Sequence, residues 1–364
     1  MIYRTILLAL VFLPLPSLLA GTAMIHGPIG VMADHYHKKG EWMISLRISH
    51  MEMKKNIFNG NSISANEILN QPNPYSDVKV SMGSPDTTLS MNEVTMPDNL
   101  SVVPKNMTMK MVMLGVMYAH SDKVTLMGTA TYNDKGMVLD THKGMMRRDY
   151  IGSFNTSSSD ISKASFSVLY NLHEENKSRW HIIFGLEKGL GESLEKGLVL
   201  TPMNMMSEVI LPYGMQSSDR SVRLITGITN VASFRNFVIG NQILSKNSVT
   251  DKGWRFGDEI HYNLWLQGAF NDNLSYSIRL NYKDQDSIKG SNKLIITPVQ
   301  ASNPKNYGGQ VLSIGLGINF ITNIFKGKHK DRFSIEAIKP INQKKNGLQM
   351  KDGLTIKIGF QKML

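Results

Sequence analysis

Asn273-Leu274-Ser275-Tyr276-Ser277-Ile278-Arg279-Leu280-Asn281-Tyr282-Lys283-Asp284 is the stretch on which the fold of this chain turns. A β-strand sends successive side chains to opposite faces. Leu274, Tyr276, Ile278, Leu280 and Tyr282 therefore share one face, and Ser275, Ser277, Arg279, Asn281 and Lys283 share the other. The alternation recurs. In 309–321, Leu312, Ile314, Leu316, Ile318 and Phe320 oppose Ser313, Gly315, Gly317 and Asn319. In 256–270, Ile260, Tyr262, Leu264, Leu266 and Phe270 oppose His261, Asn263, Trp265 and Gln267. In 41–53, Trp42, Ile44, Leu46 and Ile48 oppose Met43, Ser45, Arg47, Ser49, Met51 and Met53. Near the end, Leu354, Ile356, Ile358 and Phe360 oppose Thr355, Lys357, Gly359 and Gln361.

These runs are about ten residues long or more, the length a tilted strand needs to cross a bilayer and longer than the usual strand of a soluble protein. Aromatic residues stand near the ends of the apolar faces (Trp42, Tyr118, Tyr132, Tyr170, Trp180, Tyr282, Phe320, Phe360), where a girdle at the head-group boundary places them. Twelve strands are predicted, near 41–53, 106–119, 123–133, 162–172, 179–187, 219–230, 233–243, 256–270, 273–284, 309–321, 331–340 and 352–361. Connections after the odd strands are mostly long (54–105, 134–161, 188–218, 285–308), and those after the even strands mostly short. Strand length, face alternation and loop alternation together predict an all-β fold, a closed antiparallel transmembrane β-barrel of about twelve strands. A secreted sandwich or propeller would have shorter strands, and no repeat of about 40–50 residues marks propeller blades.

Residues 1–23 read as a cleaved signal peptide. Arg4 supplies the positive start, Ile6 to Leu13 the apolar core, Pro14 and Pro16 its close, and small residues follow, so cleavage after Ala20 or Ala23 fits. Residues 24–40 form an N-terminal segment inside or below the barrel, and 41–364 the outer-membrane barrel itself. The 364 residues are 41% hydrophobic and 8% aromatic, too apolar for a disordered chain. Cysteine is absent, which excludes a disulfide scaffold, an iron–sulfur cluster and a thiol nucleophile. The formal charge is +11, yet no Lys/Arg cluster carries interleaved aromatics, so nucleic acid is not an expected partner. Outer-membrane lipid, lipopolysaccharide and a small-molecule solute are. Signatures of catalysis such as G-x-S-x-G, H-E-x-x-H and a P-loop are missing, so an enzyme is not expected.

Charge on a lipid face costs ~2–4 kcal/mol at the midplane, so the polar faces must look inward. The predicted lumen lining is Arg47, His181, Glu187, Arg223, His261 and Arg279, with Lys283 and Lys357. It reads either as a solute path or as a satisfied polar network filling a narrow barrel.

Methionine is abundant, at 24 residues. Met107, Met109, Met111, Met113 and Met117 share one face of the second strand with Gly115, opposite Val112, Leu114, Val116 and Tyr118. If the first two strands pair as a hairpin, Met51 and Met53 lie beside Met107 and Met109, and Met127 continues the stripe. Three explanations stand. The methionines face lipid and the strand is inverted, placing Thr108 and Lys110 in the lumen. They make an adaptable apolar wall for greasy or aromatic ligands. Or, as soft thioethers, they bind Cu(I), with His35 and His37 of Met32-Ala33-Asp34-His35-Tyr36-His37 adding imidazoles. The metal candidates are thus His35, His37, Met51, Met53, Met107, Met109 and Met111, and Cu(I) is the one cofactor considered.

Pro28-Ile29-Gly30-Val31-Met32-Ala33-Asp34-His35 followed by Lys39-Gly40-Glu41-Trp42-Met43 resembles the opening of outer-membrane proteins of the "MetA-pathway of phenol degradation" type, a family of transporters. Met107-Thr108-Met109 with Met111, Lys123 to Met127, Leu211-Pro212-Tyr213-Gly214-Met215-Gln216 and Gly253-Trp254-Arg255-Phe256-Gly257-Asp258 are similar too, in the same order. The resemblance implies uptake of small aromatic compounds and carries over no functional residue set. The expected function is passive passage or binding of small hydrophobic or aromatic solutes. The alternatives are a copper-handling barrel using the Met/His patch and a structural barrel whose loops meet partners.

Overall fold

The structure is a computed structural model that describes residues 22–24, 26–82, 92–144, 148–175, 177–250, 253–324 and 330–364. Residues 1–21, most of the predicted signal peptide, lie outside it.

Twelve long strands follow one another round a barrel: β1 Trp42–Phe58, β2 Val102–Ala119, β3 Val124–His142, β4 Tyr150–Glu175, β5 Ser178–Gly189, β6 Val222–Ser233, β7 Phe237–Ser248, β8 Glu259–Asn271, β9 Leu274–Gln285, β10 Gly309–Thr322, β11 Asp331–Lys345 and β12 Leu348–Met363. Each pairs antiparallel with its sequence neighbour, and β12 pairs with β1 from Met43↔Met363 to Phe58↔Leu348, so the sheet closes without an edge. Closure is what makes a sheet tolerable in hydrocarbon, because no backbone group is left unpaired there.

The faces sort as the alternation demands. Leu316 (57% exposed), Ile278 (44%) and Ile358 (52%) point outward, while their strand neighbours Ser277, Arg279 and Ser313 are buried inside. On β2, Leu114 and Val116 are exposed while Met107 and Met117 are buried, so the thioether face looks inward and the inverted-strand explanation falls. Cross-strand register aligns the apolar rows into a belt. Trp42 faces Tyr118 with ring centroids 4.4 Å apart at its lower edge, and Ile48, Val112 and Tyr132 sit in one row at its upper edge. The next outward row is His50, Lys110 and Asp134, where charge begins.

The strands run further than predicted. Most of the expected loop 134–161 is strand, because β3 reaches His142 and β4 starts at Tyr150, and 341–351 is a hairpin turning at Asn346-Gly347 with Gly347 at φ 58°. Beyond the belt the outward face turns polar, as at Asp134, Ser157 and Ser159, while Lys135, Thr156 and Ser158 are buried inward, so no outward apolar row remains to announce these strands. The connections after even strands are short. Most of those after odd strands carry the remaining elements, including a helix Ala65–Leu69 with a Ser64/Glu67 capping box and a hairpin of Lys196–Leu200 with Met206–Ile210. By the loop-length asymmetry of outer-membrane barrels, the long connections mark the outer end.

Candidate functional site

The lumen has three levels. The lowest is filled by the N-terminal segment. It enters with a short turn, Thr22–Met24, bends at Pro28 (Val31 N–H to Pro28 O, 2.9 Å) and leaves at Gly40, where β1 begins. Its backbone groups have no ladder of their own, and buried peptide groups must be paired. The wall supplies the partners. Arg47 donates to the carbonyls of Ile29 (3.1 Å) and Val31 (3.0 Å), and Gln242 to that of Met32 (2.7 Å). Gln267 (3.1 Å) and Ser275 (2.8 Å) donate to Ala23 O, and Arg332 to Gly27 O. The Gly30 N–H donates to Glu336 Oε2 (2.7 Å) and the His37 N–H to Thr125 Oγ1 (3.1 Å), while His181 Nε2 lies 2.9 Å from Ala33 O. The partners come from β1, β3, β5, β7, β8, β9 and β11, so the segment is moored round most of the barrel wall. Trp265 on β8 is buried against Met24 and Val31, and its ring lies flat on β7 because Gly240 has no Cβ, which would stand 2.0 Å from Cζ2.

The middle level is an ion network. Glu187 receives Lys246 Nζ at 2.7 Å and Lys163 Nζ at 3.1 Å, with Arg223 Nη1 at 3.9 Å, and Arg223 also holds Asp219. Glu259 lies 3.2 Å from Lys283 Nζ and 3.5 Å from His261 Nε2. Below it, Arg279 donates to Glu336 Oε1 (2.7 Å) and Asn263 Oδ1 (2.8 Å). The predicted lining residues fall in two groups: Glu187, Arg223 and His261 belong to the network, while Arg47, His181 and Arg279 serve the N-terminal plug.

The upper level is apolar. Met107, Met137, Leu139, Leu211, Met215, Val299 and Met350 form one cluster with Met53 and Phe154 packed on it. Within it lies a void of about 50 Å³, lined by Val102, Met137, Leu139, Phe154, Val199 and Leu211 among others. The loop carrying Leu211, Tyr213 and Met215 folds into the mouth, tied by Lys135 Nζ to Gly214 O (3.0 Å) and Gln216 O (2.6 Å). Burial pushes the Tyr213 hydroxyl up in pKa.

The register pairs Met51 with Met109, Met53 with Met107, and Ser49 with Met111. The methionine stripe divides at mid-height: Met43, Met117 and Met127 pack beside the plug with Ala33, whereas Met53 and Met107 belong to the mouth. His35 and His37 lie in the plug, beside His26 and Asp34. The predicted Met/His set is thus not gathered at one point. Sequence reading missed His26, Asp34, Gln242, Gln267, Arg332 and Glu336. For the last two a signal existed, since Arg332, Ser334 and Glu336 alternate along β11.

No protein-family model matches the sequence. No curated protein matches it either. Among solved structures, the COG4313 outer membrane channel from Pseudomonas putida F1 is similar over 91% of this chain and 98% of its own, with TM-score 0.51 and 9% identity. A FadL homologue of Pseudomonas aeruginosa aligns over 88% of this chain and 90% of its own, with TM-score 0.39 and 7% identity. The CymD monoaromatic hydrocarbon channel aligns over 90% and 89%, with TM-score 0.36 and 8% identity. At these identities the first likeness is one of fold, that of an outer-membrane barrel.

Proposed function

We propose that this barrel resides in the outer membrane of a Gram-negative-type bacterium and passes small hydrophobic or aromatic solutes passively, taking them first at the outer mouth. The apolar void among Met137, Leu139, Phe154 and Leu211 carries the reading. Ligand sites for apolar molecules are concave and mostly apolar. At about 50 Å³ the void is smaller than the ~150 Å³ cavity that holds a benzene ring in an engineered core. Thioether side chains have three rotatable bonds and yield readily, so methionine walls suit a chamber that opens to fit its guest. From there a solute meets the ion network and then the plug, whose many single hydrogen bonds are individually weak and can be exchanged in turn.

The finer assignment, a transporter of the "MetA-pathway of phenol degradation" type, rests on the sequence resemblance and agrees with this chamber. The neighbours named for monoaromatic hydrocarbons and for FadL share the barrel plan only. Bilayer lipid meets the apolar belt, and lipopolysaccharide phosphates suit the exposed Lys54 and Lys110 just above it. The methionines of the mouth pack with Leu139 and Leu211, as apolar wall material does, which favours the solute reading over copper handling.

The test is uptake of a labelled monoaromatic hydrocarbon by cells with an intact outer leaflet. Cells producing the wild type should take it up faster than cells lacking the protein, and Leu139→Trp, which fills the void, should remove the gain. Equal uptake in all three strains contradicts the proposal.

A further inference from the structure

We infer that the plug holds a divalent transition-metal ion between His26, Asp34 and His35. The inference stands independently of the solute that passes. One donor atom from each residue lies within 4.8 Å of the other two, near enough for small side-chain rotations to bring all three onto one ion. The rings meet edge to face, His26 with His35 at 4.3 Å between centroids and His35 with His37 at 4.8 Å. His35 is buried (4% exposed), yet its Nε2 has no hydrogen-bond partner, and His26 Nδ1 and His37 Nε2 have none either. Buried polar groups without partners are costly, and several close together call for a shared partner.

The carboxylate contact points the same way. Asp34 Oδ1 lies 3.0 Å from His35 Nδ1, so the carboxylate and the imidazole stand close enough to share one ion. The other oxygen, Oδ2, accepts the Gly27 N–H at 2.6 Å, which fixes the carboxylate as an outer-shell bond fixes a metal ligand. The nearby guanidiniums are turned elsewhere: Arg332 to Gly27 O, Asn319 and Gln361, and Arg47 to the carbonyls of Ile29 and Val31.

Two imidazoles and a carboxylate suit Zn²⁺, Cu²⁺ or Ni²⁺ rather than the Cu(I) that thioethers select. His37 is the nearest further imidazole. An ion here joins His26 to Asp34 and His35 across the bend at Pro28 and so fixes the shape of the plug.

The test titrates Zn²⁺ into the full-length chain, folded in detergent after chelator treatment, by calorimetry. Heat-modifiable gel mobility reports that each barrel is folded. The wild type should bind one ion per chain, and the exposed-site control His50→Gln should bind it equally. His26→Gln, His35→Gln and Asp34→Asn should each bind roughly tenfold more weakly or worse, the least that loss of a direct ligand should cost when outer-shell losses cost 10–100-fold. A folded wild type that takes up no stoichiometric Zn²⁺, or folded variants with unchanged affinity, would overturn the inference. If the variants do not fold, electron paramagnetic resonance of the Cu²⁺-loaded wild type decides: coupling to two nitrogens supports the site, and an oxygen-only spectrum overturns it.

Discussion

Arg279 on β9 and Glu336 on β11 meet across the strand between them, Nε to Oε1 at 2.7 Å, because β10 presents Gly315 and Gly317 at that height. A Cβ on Gly315 would stand 2.4 Å from Glu336 Oε1. The second oxygen of Glu336 accepts the Gly30 N–H, so one buried carboxylate ties the barrel wall to the plug. A Cβ on Gly30 would stand 2.3 Å from both Arg279 Nη2 and Glu336 Oε2, so only glycine fits that mooring point.

Glu336→Ala should leave Arg279 buried without its partner, at a cost of about 3–5 kcal/mol. It should also free Gly30. Urea unfolding in lipid vesicles should show the loss of stability, and planar-bilayer recording should show a larger current than the wild type. Wild-type values in both measurements would mean that the pair does not hold the plug.

Leu316→Arg places a charge on the lipid face and should destabilise the barrel by ~2–4 kcal/mol, whereas Lys110→Leu, above the belt, should change little. Vesicle unfolding midpoints compare the two. Equal midpoints would mean that Leu316 does not face hydrocarbon.

The predicted leader should be cut after Ala20 and not after Ala23. Gln267 and Ser275 both donate to the Ala23 carbonyl, and Ala23 is itself buried. A chain beginning at Met24 forfeits both bonds. Intact mass of the mature protein separates a start at Gly21 from one at Met24.

Asp258, in the outer connection, accepts the Ser248 N–H at 2.8 Å, Arg255 Nη1 at 2.7 Å and Lys289 Nζ at 3.1 Å. Burial alone would raise its pKa, but these donors outweigh burial and hold it below 3.8. A lowered folded-state pKa stabilises above the unfolded value and is lost as pH falls through the folded one. Protease nicking between 249 and 258 should therefore accelerate in Asp258→Asn at neutral pH, and in the wild type only below about pH 3.8. Nicking that rises already at pH 6 in the wild type would show that another group controls the loop.

The barrel was legible because lipid imposes a rule on every outward residue, and rows such as Leu274, Tyr276, Ile278, Leu280 and Tyr282 obey it without reference to other strands. The direction of the methionine face of β2 was not legible, because both of its faces are apolar and only the exposure of Leu114 and Val116 rules out the inverted strand. The site was less so. Arg279 and Glu336 are 57 positions apart, and their meeting depends on two glycines of a third strand. His26 joins Asp34 and His35 only through the bend at Pro28, which strand periodicity does not describe. The strand ends above the belt were invisible because their outward face turns polar and the apolar row that marks the lower half stops.

The central claim is tested most directly by solute choice. Cells with an intact outer leaflet, with and without the protein, are given a labelled monoaromatic hydrocarbon and, separately, a labelled pentose of similar size. The hydrocarbon should enter faster when the protein is present while pentose entry stays at background. Faster entry of the pentose with no change for the hydrocarbon would contradict an apolar path through the mouth.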